Sequence, residues 1–186
     1  MHLTYRICFV CLGNICRSPM AEVVTRSLLD DAGLADRITV SSAGTGNWHV
    51  GRSADPGSVR ALAARGYDGS RHRAEQLTIE KLADYDLLVG LDTANVIDIE
   101  ALFNKWGFAE RPEVRLLRDY TLRDDALRDD APRDDALRDD APHSAPGLGV
   151  PDPYGLGDDA FDHALDLVEE ACAGLVEGLK EDFRTP

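Results

Sequence analysis

The chain has 186 residues, of which 44% are hydrophobic and 29% charged, a composition typical of one globular domain and too apolar for a disordered chain. Its formal net charge is -14, whereas nucleic-acid binding requires an excess of basic residues, so we expect no nucleic-acid partner. The apolar runs are too short to span a membrane or to form a signal-peptide core, which predicts a cytoplasmic protein without a membrane partner.

Strand and helix patterns alternate along the chain. Apolar runs predict buried strands at 6–11, 38–42, 86–91 and 114–117. Helical spacing predicts helices at 18–32, 59–65, 93–106 and 161–179, three of which are followed by a glycine. This alternation predicts an α/β fold: one domain, 1–186, with a four-stranded parallel sheet and helices on both faces. Ligands of such folds lie beyond the carboxyl ends of the strands.

Residues 123–142 interrupt the pattern with RDDAL and RDDAP, a decamer written twice. Each pentad carries one arginine and two aspartates, so the segment contributes 4 × (1 − 2) = -4 to the net charge. Its few apolar side chains cannot offset the entropy of ordering it. We therefore predict a solvated, low-complexity acidic insertion, with a partner-binding element as the alternative.

The cysteines are unevenly distributed. Cys8, Cys11 and Cys16 lie within nine residues of one another, and Cys172 is far away. This spacing does not resemble a disulfide framework and favours reduced thiols.

Cys11 and Arg17 form a C-x5-R motif, which is weak evidence alone but here lies between a predicted strand and a predicted helix. A strand, a tight loop and a helix N-terminus together form an anion-binding site, and we predict a phosphate-binding loop there. The helix N-terminus and Arg17 both favour the thiolate of Cys11 over the thiol. The alternative is that Cys11 is a small buried apolar residue at a strand end.

Three segments resemble the low-molecular-weight protein tyrosine phosphatases, and the actinobacterial members in particular. They are FVCLGNICRSP at 9–19, SSAGTGNWHVG at 41–51 and VPDPYG at 150–155. The resemblance covers most of the chain apart from the insertion. It implies hydrolysis of phosphotyrosine and aryl phosphate monoesters, with Cys11 as nucleophile, Arg17 as phosphate clamp and Asp152 as general acid. It implies phosphotyrosine-containing proteins as substrates, and neither a metal nor a cofactor.

The resemblance also implies supporting roles around Cys11. The loop residues are Leu12, Gly13, Asn14, Ile15, Cys16 and Ser18, the loop-supporting residues are Ser42 and His72, and the aromatic walls are Trp48 and Tyr154. Ile15 resembles the apolar residue of tyrosine-directed members, whereas threonine would suggest phosphoarginine. Taken alone, Ser18 would be read as a helix N-cap, His72 as a surface residue and Trp48 as a packing residue.

Two positions concern regulation. Family members join the two loop cysteines reversibly, which makes Cys16 the expected redox partner of Cys11, while a second buried cysteine is the alternative. Gly155 stands where the family has a second tyrosine, so phosphorylation at that place is not expected.

Two other functions remain open. Arsenate reductases use the same kind of anion site but pass oxidising equivalents to further cysteines, and this chain has none between Cys16 and Cys172. A phospho-ligand-binding module without turnover would not need Cys11 and Asp152 together. We expect a monomer, with a weak dimer as the alternative.

Overall fold

The computed structural model describes residues 4–106, 111–121 and 149–183. Four parallel strands form one sheet in the order β2-β1-β3-β4. The strands are β1 Tyr5–Cys11, β2 Ile38–Gly44, β3 Leu87–Gly90 and β4 Glu113–Leu116. The predicted four-stranded parallel sheet is therefore confirmed. The predicted insertion at 123–142 lies outside the described residues.

Five α-helices accompany the sheet within the described ranges. They are α1 Arg17–Asp31, α2 Pro56–Ala64, α3 Ile79–Leu82, α4 Thr93–Trp106 and α5 Asp158–Asp182. The short α3 was not predicted, because four residues give too little helical periodicity to read. Leu117 belongs to a 3-10 turn, Leu117–Tyr120, and the prediction that it ends a strand is wrong.

The alternation of side chains along β1 divides the core between the two faces of the sheet. Ile7 and Phe9 point to one face, where they join a cluster with buried residues of α1 and α5. Cys8 and Val10 point to the other face, where they join Ile99 and other residues of α4. Helices thus cover both faces, as predicted. Among the described residues, no helix combines the length and the apolarity needed to cross a bilayer.

The carboxyl ends of β1, β2 and β3 meet at one edge of the sheet. Gly44 closes β2 against the chain that follows Cys11, and a Cβ there would lie 2.9 Å from the carbonyl oxygen of Leu12. Only glycine allows this close approach between the two backbones. This edge therefore holds the chain that follows Cys11 against β2.

Candidate active site

Residues 11–18, the Cys11 loop, connect β1 to α1. Cys11 ends β1 with 3% of its surface exposed. Its Sγ accepts a hydrogen bond from the backbone N–H of Asn14 at 3.3 Å and lies 3.0 Å from the hydroxyl of Ser18. Because α1 begins at Arg17, the positive end of the helix dipole lies beside the sulfur. These groups all favour a negative charge at this position.

Asn14 holds the shape of the loop. It has φ +53° and is fully buried. Its Nδ2 donates to the hydroxyls of Ser18 and Ser42, each at 2.9 Å, and its Oδ1 accepts from the N–H of Glu75 at 2.7 Å. These three hydrogen bonds fix a left-handed backbone conformation that asparagine tolerates better than most residues.

The interpretation of Ser18 as a helix N-cap is wrong. The helix begins one residue earlier, at Arg17, and the hydroxyl of Ser18 caps no backbone group. It lies instead against Cys11 and Asn14 and reaches the carbonyl of Ala43 at 3.3 Å. The hydroxyl therefore belongs to the surroundings of the sulfur.

A second group of side chains supports the loop from behind. The Nε2 of His72 lies 2.7 Å from the carbonyl oxygen of Asn14, and Ser42 donates to Glu22 at 2.6 Å. The His72 side chain is only 6% exposed, so the interpretation of it as a surface residue is wrong. Burial lowers the pKa of His72 and is the dominant cause. Glu22 could not be selected from the sequence, because one glutamate on a polar helix face carries no distinguishing signal.

Arg17 is 3% exposed and is held by two carboxylates. Its Nη1 donates to Asp92 at 2.5 Å and to the carbonyl of Val150 at 3.0 Å, while its Nη2 donates to Asp152 at 3.1 Å. Its Nε is buried and has no hydrogen-bond partner among the residues that the structure describes. A buried, unpartnered N–H of a charged group is costly, and an anion bound in the loop would satisfy it.

Asp92 was missed by the sequence analysis. It follows β3 and precedes α4, and it exchanges two hydrogen bonds with Asn95. The Oδ1 of Asp92 accepts from the N–H of Asn95 at 2.8 Å, and the N–H of Asp92 donates to the Oδ1 of Asn95 at 3.2 Å. The other carboxylate oxygen holds Arg17. An aspartate between a predicted strand end and a predicted helix start was the available signal, but it indicates a helix cap as readily as a site residue.

Residues 149–156, the Asp152 loop, form the other side of the site. Val150 ties the loop to the end of β3 by donating to the carbonyl of Leu91 at 2.8 Å. Beyond that anchor the loop is exposed except at Pro153: the Asp152 side chain is 43% exposed and Tyr154 58%. The Oδ1 of Asp152 accepts from the N–H of Tyr154 at 3.2 Å, which agrees with the turn expected of an Asp-Pro pair.

A cavity of about 210 Å³ lies between the two loops. Its lining contains Cys11, Leu12, Gly13, Ile15, Cys16, Arg17, Trp48, His49, Asp152 and Tyr154. Trp48 is 58% exposed, so the interpretation of it as a packing residue is wrong. The ring of His49 lies 6.4 Å from that of Trp48 and 6.0 Å from that of Tyr154, between centroids. The sequence analysis did not select His49, which completes a wall of three rings.

Comparison with known proteins agrees with this geometry. Residues 6–185 match the model of the low molecular weight phosphotyrosine protein phosphatases. The chain belongs to this family. It is 41% identical over 180 residues to a low molecular weight protein-tyrosine-phosphatase of Streptomyces coelicolor, with 96% of each chain covered. It is 40% identical to low molecular weight protein-tyrosine phosphatase A of Mycobacterium tuberculosis, with 97% of this chain and 93% of that chain covered. The resemblance stated from the sequence is confirmed.

Solved structures show the same phosphatase fold. The crystal structure of YfkJ from Bacillus subtilis superposes with a TM-score of 0.76 at 27% identity, and the match covers 97% of this chain and 98% of that chain. The crystal structure of Primo-1 gives a TM-score of 0.74 at 28% identity, over 94% and 97% of the two chains.

All four cysteines of this phosphatase-family chain are free and buried. Burial raises the pKa of Cys8, Cys16 and Cys172 to about 12 each, so these three are thiols at neutral pH. Cys16 lines the same cavity as Cys11. No group of three or more His, Cys, Asp or Glu side chains suited to a metal ion occurs in the described part of the chain.

Proposed function

We propose that this protein hydrolyses phosphotyrosine and other aryl phosphate monoesters through a phosphocysteine formed on Cys11. The observation that carries the proposal is the position of the Cys11 sulfur at the floor of the cavity, between the N–H of Asn14 and the hydroxyl of Ser18. Family membership supports it independently, because the relatives are named protein-tyrosine phosphatases.

In the first step the Cys11 thiolate attacks phosphorus and the bond between phosphorus and the phenolic oxygen breaks. The leaving phenolate needs a proton, and Asp152 is the carboxyl group on the other side of the cavity that can donate it. We infer that Arg17 binds two equatorial phosphate oxygens, using its unpartnered Nε–H and Nη2. The phosphate then replaces Asp152 at Nη2, which frees that carboxyl group for the ester oxygen.

In the second step a water molecule hydrolyses the phosphocysteine. Asp152, now ionised, accepts a proton from the water as its oxygen bonds to phosphorus, and the bond between sulfur and phosphorus breaks. Inorganic phosphate and the Cys11 thiolate are the products. The hydroxyl of Ser18, 3.0 Å from the sulfur, stabilises the returning negative charge. All these roles belong to side chains, so we expect neither a metal nor a cofactor.

The shape of the cavity favours an aryl substrate. Trp48 and Tyr154 are exposed rings beside the mouth, where they can pack against a phenyl ring. Ile15 adds an apolar side chain to the lining. We therefore propose phosphotyrosine-containing proteins as the substrates, in preference to phosphoarginine.

Arsenate reduction is less well supported. That reaction needs further cysteines to carry oxidising equivalents away from the nucleophile. Cys8 and Cys172 are fully buried in the two cores, and neither lines the cavity that contains Cys11. Neither is a suitable second thiol. A binding module without turnover is disfavoured because the nucleophile and the acid face one cavity.

We further propose that Cys16 protects Cys11 from irreversible oxidation. Peroxide would oxidise the Cys11 thiolate to a sulfenic acid, and the Cys16 thiol would displace water to form a disulfide. Burial, and then the charges of Asp55 and Asp152, raise the pKa of Cys16, so this residue is a thiol when the sulfenic acid forms beside it. Cytoplasmic location and a monomeric state complete the proposal, and the four free thiols agree with a reducing compartment.

Replacement of the nucleophile tests the proposal directly. Cys11→Ser removes the thiolate, so we expect no measurable turnover of phosphotyrosine peptide and retained binding of the phosphopeptide by calorimetry. In wild type, rapid quenching during turnover of a ³²P-labelled substrate traps labelled protein if the phosphocysteine forms. Absence of label, or turnover by Cys11→Ser, would contradict the mechanism.

A further inference from the structure

Three exposed arginines form a basic strip beside the active site: Arg52, Arg71 and Arg73. Among the described residues, no carboxylate lies within 4.0 Å of any of the three guanidinium groups, whereas Arg6, Arg26 and Arg60 each form an ion pair. This local excess of positive charge is unusual in a chain of net charge -14.

Hydrogen bonds hold the two segments of the strip together. The N–H of Gly51 donates to the carbonyl of Ala74 at 2.8 Å, and the N–H of Ala74 donates to the carbonyl of Arg52 at 2.8 Å. The side chain of Arg73 donates to the hydroxyl of Ser53 at 3.2 Å. The arginines are therefore carried on a connected backbone rather than on two independent loops.

The strip begins at the mouth of the cavity. The N–H of Arg52 donates to the carbonyl of His49 at 2.9 Å, one turn away from the ring wall of the site. Arg71 and Arg73 lie on either side of His72 and line a groove of about 520 Å³. Two acidic side chains of that groove are paired elsewhere, Glu22 with Arg26 and Glu75 with Lys81. Asp68 interacts electrostatically with Arg71 but forms no ion pair with it within 4.0 Å, so the strip keeps most of its positive charge.

We propose that this strip binds acidic side chains of the phosphoprotein substrate, a few residues away from the phosphotyrosine. The inference rests on the proposed function. An extended peptide advances about 3.3–3.6 Å per residue, and the Arg52 N–H is hydrogen-bonded to His49 of the cavity wall, so the residues that flank a phosphotyrosine in the cavity can reach the strip. Acidic flanks would be repelled by most of this protein's surface, and the strip supplies the local attraction that orients them.

Two phosphotyrosine peptides of equal length, one with aspartates and one with serines at the flanking positions, test the proposal. In Arg52→Gln/Arg71→Gln we expect the ratio of their kcat/KM values to fall about 3- to 10-fold, since each exposed ion pair contributes a factor of roughly 1.5 to 5. Turnover of 4-nitrophenyl phosphate, which has no flanks, should not change. Added salt should reduce the wild-type preference for the acidic peptide.

The matched control is Arg6→Gln/Arg37→Gln, which makes the same change in net charge at the opposite end of the sheet. It should leave the peptide ratio at the wild-type value. Arg52→Glu/Arg71→Glu should reverse the preference, so that the serine peptide is turned over faster than the aspartate peptide. Equal ratios in the strip variant, the control and wild type overturn the proposal, whereas a wild-type protein inactive on 4-nitrophenyl phosphate overturns the proposed function instead.

Discussion

The Cys11 loop and the Asp152 loop face the same cavity but are held in opposite ways. In the Cys11 loop the polar side chains are buried and bonded: Asn14 and Ser18 are fully buried, and Arg17 is 3% exposed. In the Asp152 loop the side chain of Asp152 is 43% exposed, and Tyr154 is 58% exposed. A buried anion site and an exposed acid fit a reaction in which the phosphate stays in place while a proton is donated and later accepted again. Changes in the first loop should affect folding and activity together, and changes in the second should affect activity alone.

The largest effect we predict within this comparison is that of Asp152→Ala. Without the acid, kcat for phenyl phosphate should fall about 10²- to 10³-fold, while 2,4-dinitrophenyl phosphate, whose leaving group needs no proton, should lose much less. Because the carboxylate is exposed, the midpoint of urea unfolding should stay close to that of wild type. Equal losses for the two substrates, or a large loss of stability, would break the comparison.

Substitutions of Asn14 test the Cys11 loop. Asn14→Gly removes three buried hydrogen bonds, so we expect the free energy of unfolding to fall by about 2–4 kcal/mol and kcat/KM to fall in parallel. Asn14→Ala should be worse by a further ~1 kcal/mol, because alanine is strained at φ +53°. Urea unfolding and steady-state kinetics on the two variants measure both effects. An Asn14→Gly protein as stable as wild type would show that the loop does not depend on this network.

The smallest effect concerns pH. The pKa of His72 is lowered in the folded protein from its ordinary value of 6.5, because the ring is buried. The unfolded chain therefore binds a proton more readily, and stability should fall as the pH drops below about 6.5. The loss should not exceed ~1.4 kcal/mol per pH unit.

His72→Gln, which can still donate to the carbonyl of Asn14, should flatten this dependence, whereas His163→Gln, at an exposed position of α5, should not. Urea midpoints at pH 7.5 and 5.5 decide between them. If both variants kept the wild-type slope, the buried ring would not be the source of the pH dependence.

The fold and the catalytic candidates could be predicted from the sequence, but the side chains that hold the catalytic candidates in place could not. The strands were predictable because both of their faces are apolar, and the C-x5-R motif because its residues are close in the chain. Asp92 and Glu22 escaped because their partners, Arg17 and Ser42, are brought to them only by the folded sheet. His49 escaped because a histidine beside Trp48 gives no sign of where its ring will lie.

The interpretations of Ser18 and His72 were wrong for a related reason: the hydrogen-bond partners of both side chains lie outside the short stretch of sequence around them. Ser18 precedes a proline and is therefore predicted to be a helix N-cap, but its hydroxyl lies against the sulfur of Cys11, seven positions earlier. His72 lies between two arginines and looks solvated, but its ring turns inward to a carbonyl 58 positions away. A short sequence pattern reflects only the interactions between neighbouring residues. The side chains of Ser18 and His72 are positioned by contacts beyond their sequence neighbours.

The partners of Arg17 carry a consequence for synthesis of the protein. Val150 and Asp152 lie 133 and 135 positions downstream of it, shortly before α5. A nascent chain still emerging from the ribosome can build β1 and α1 while lacking the groups that orient the guanidinium and supply the acid. Catalytic competence should consequently arise only after the Asp152 loop has been synthesised, so that a shorter nascent chain cannot remove phosphate from neighbouring proteins.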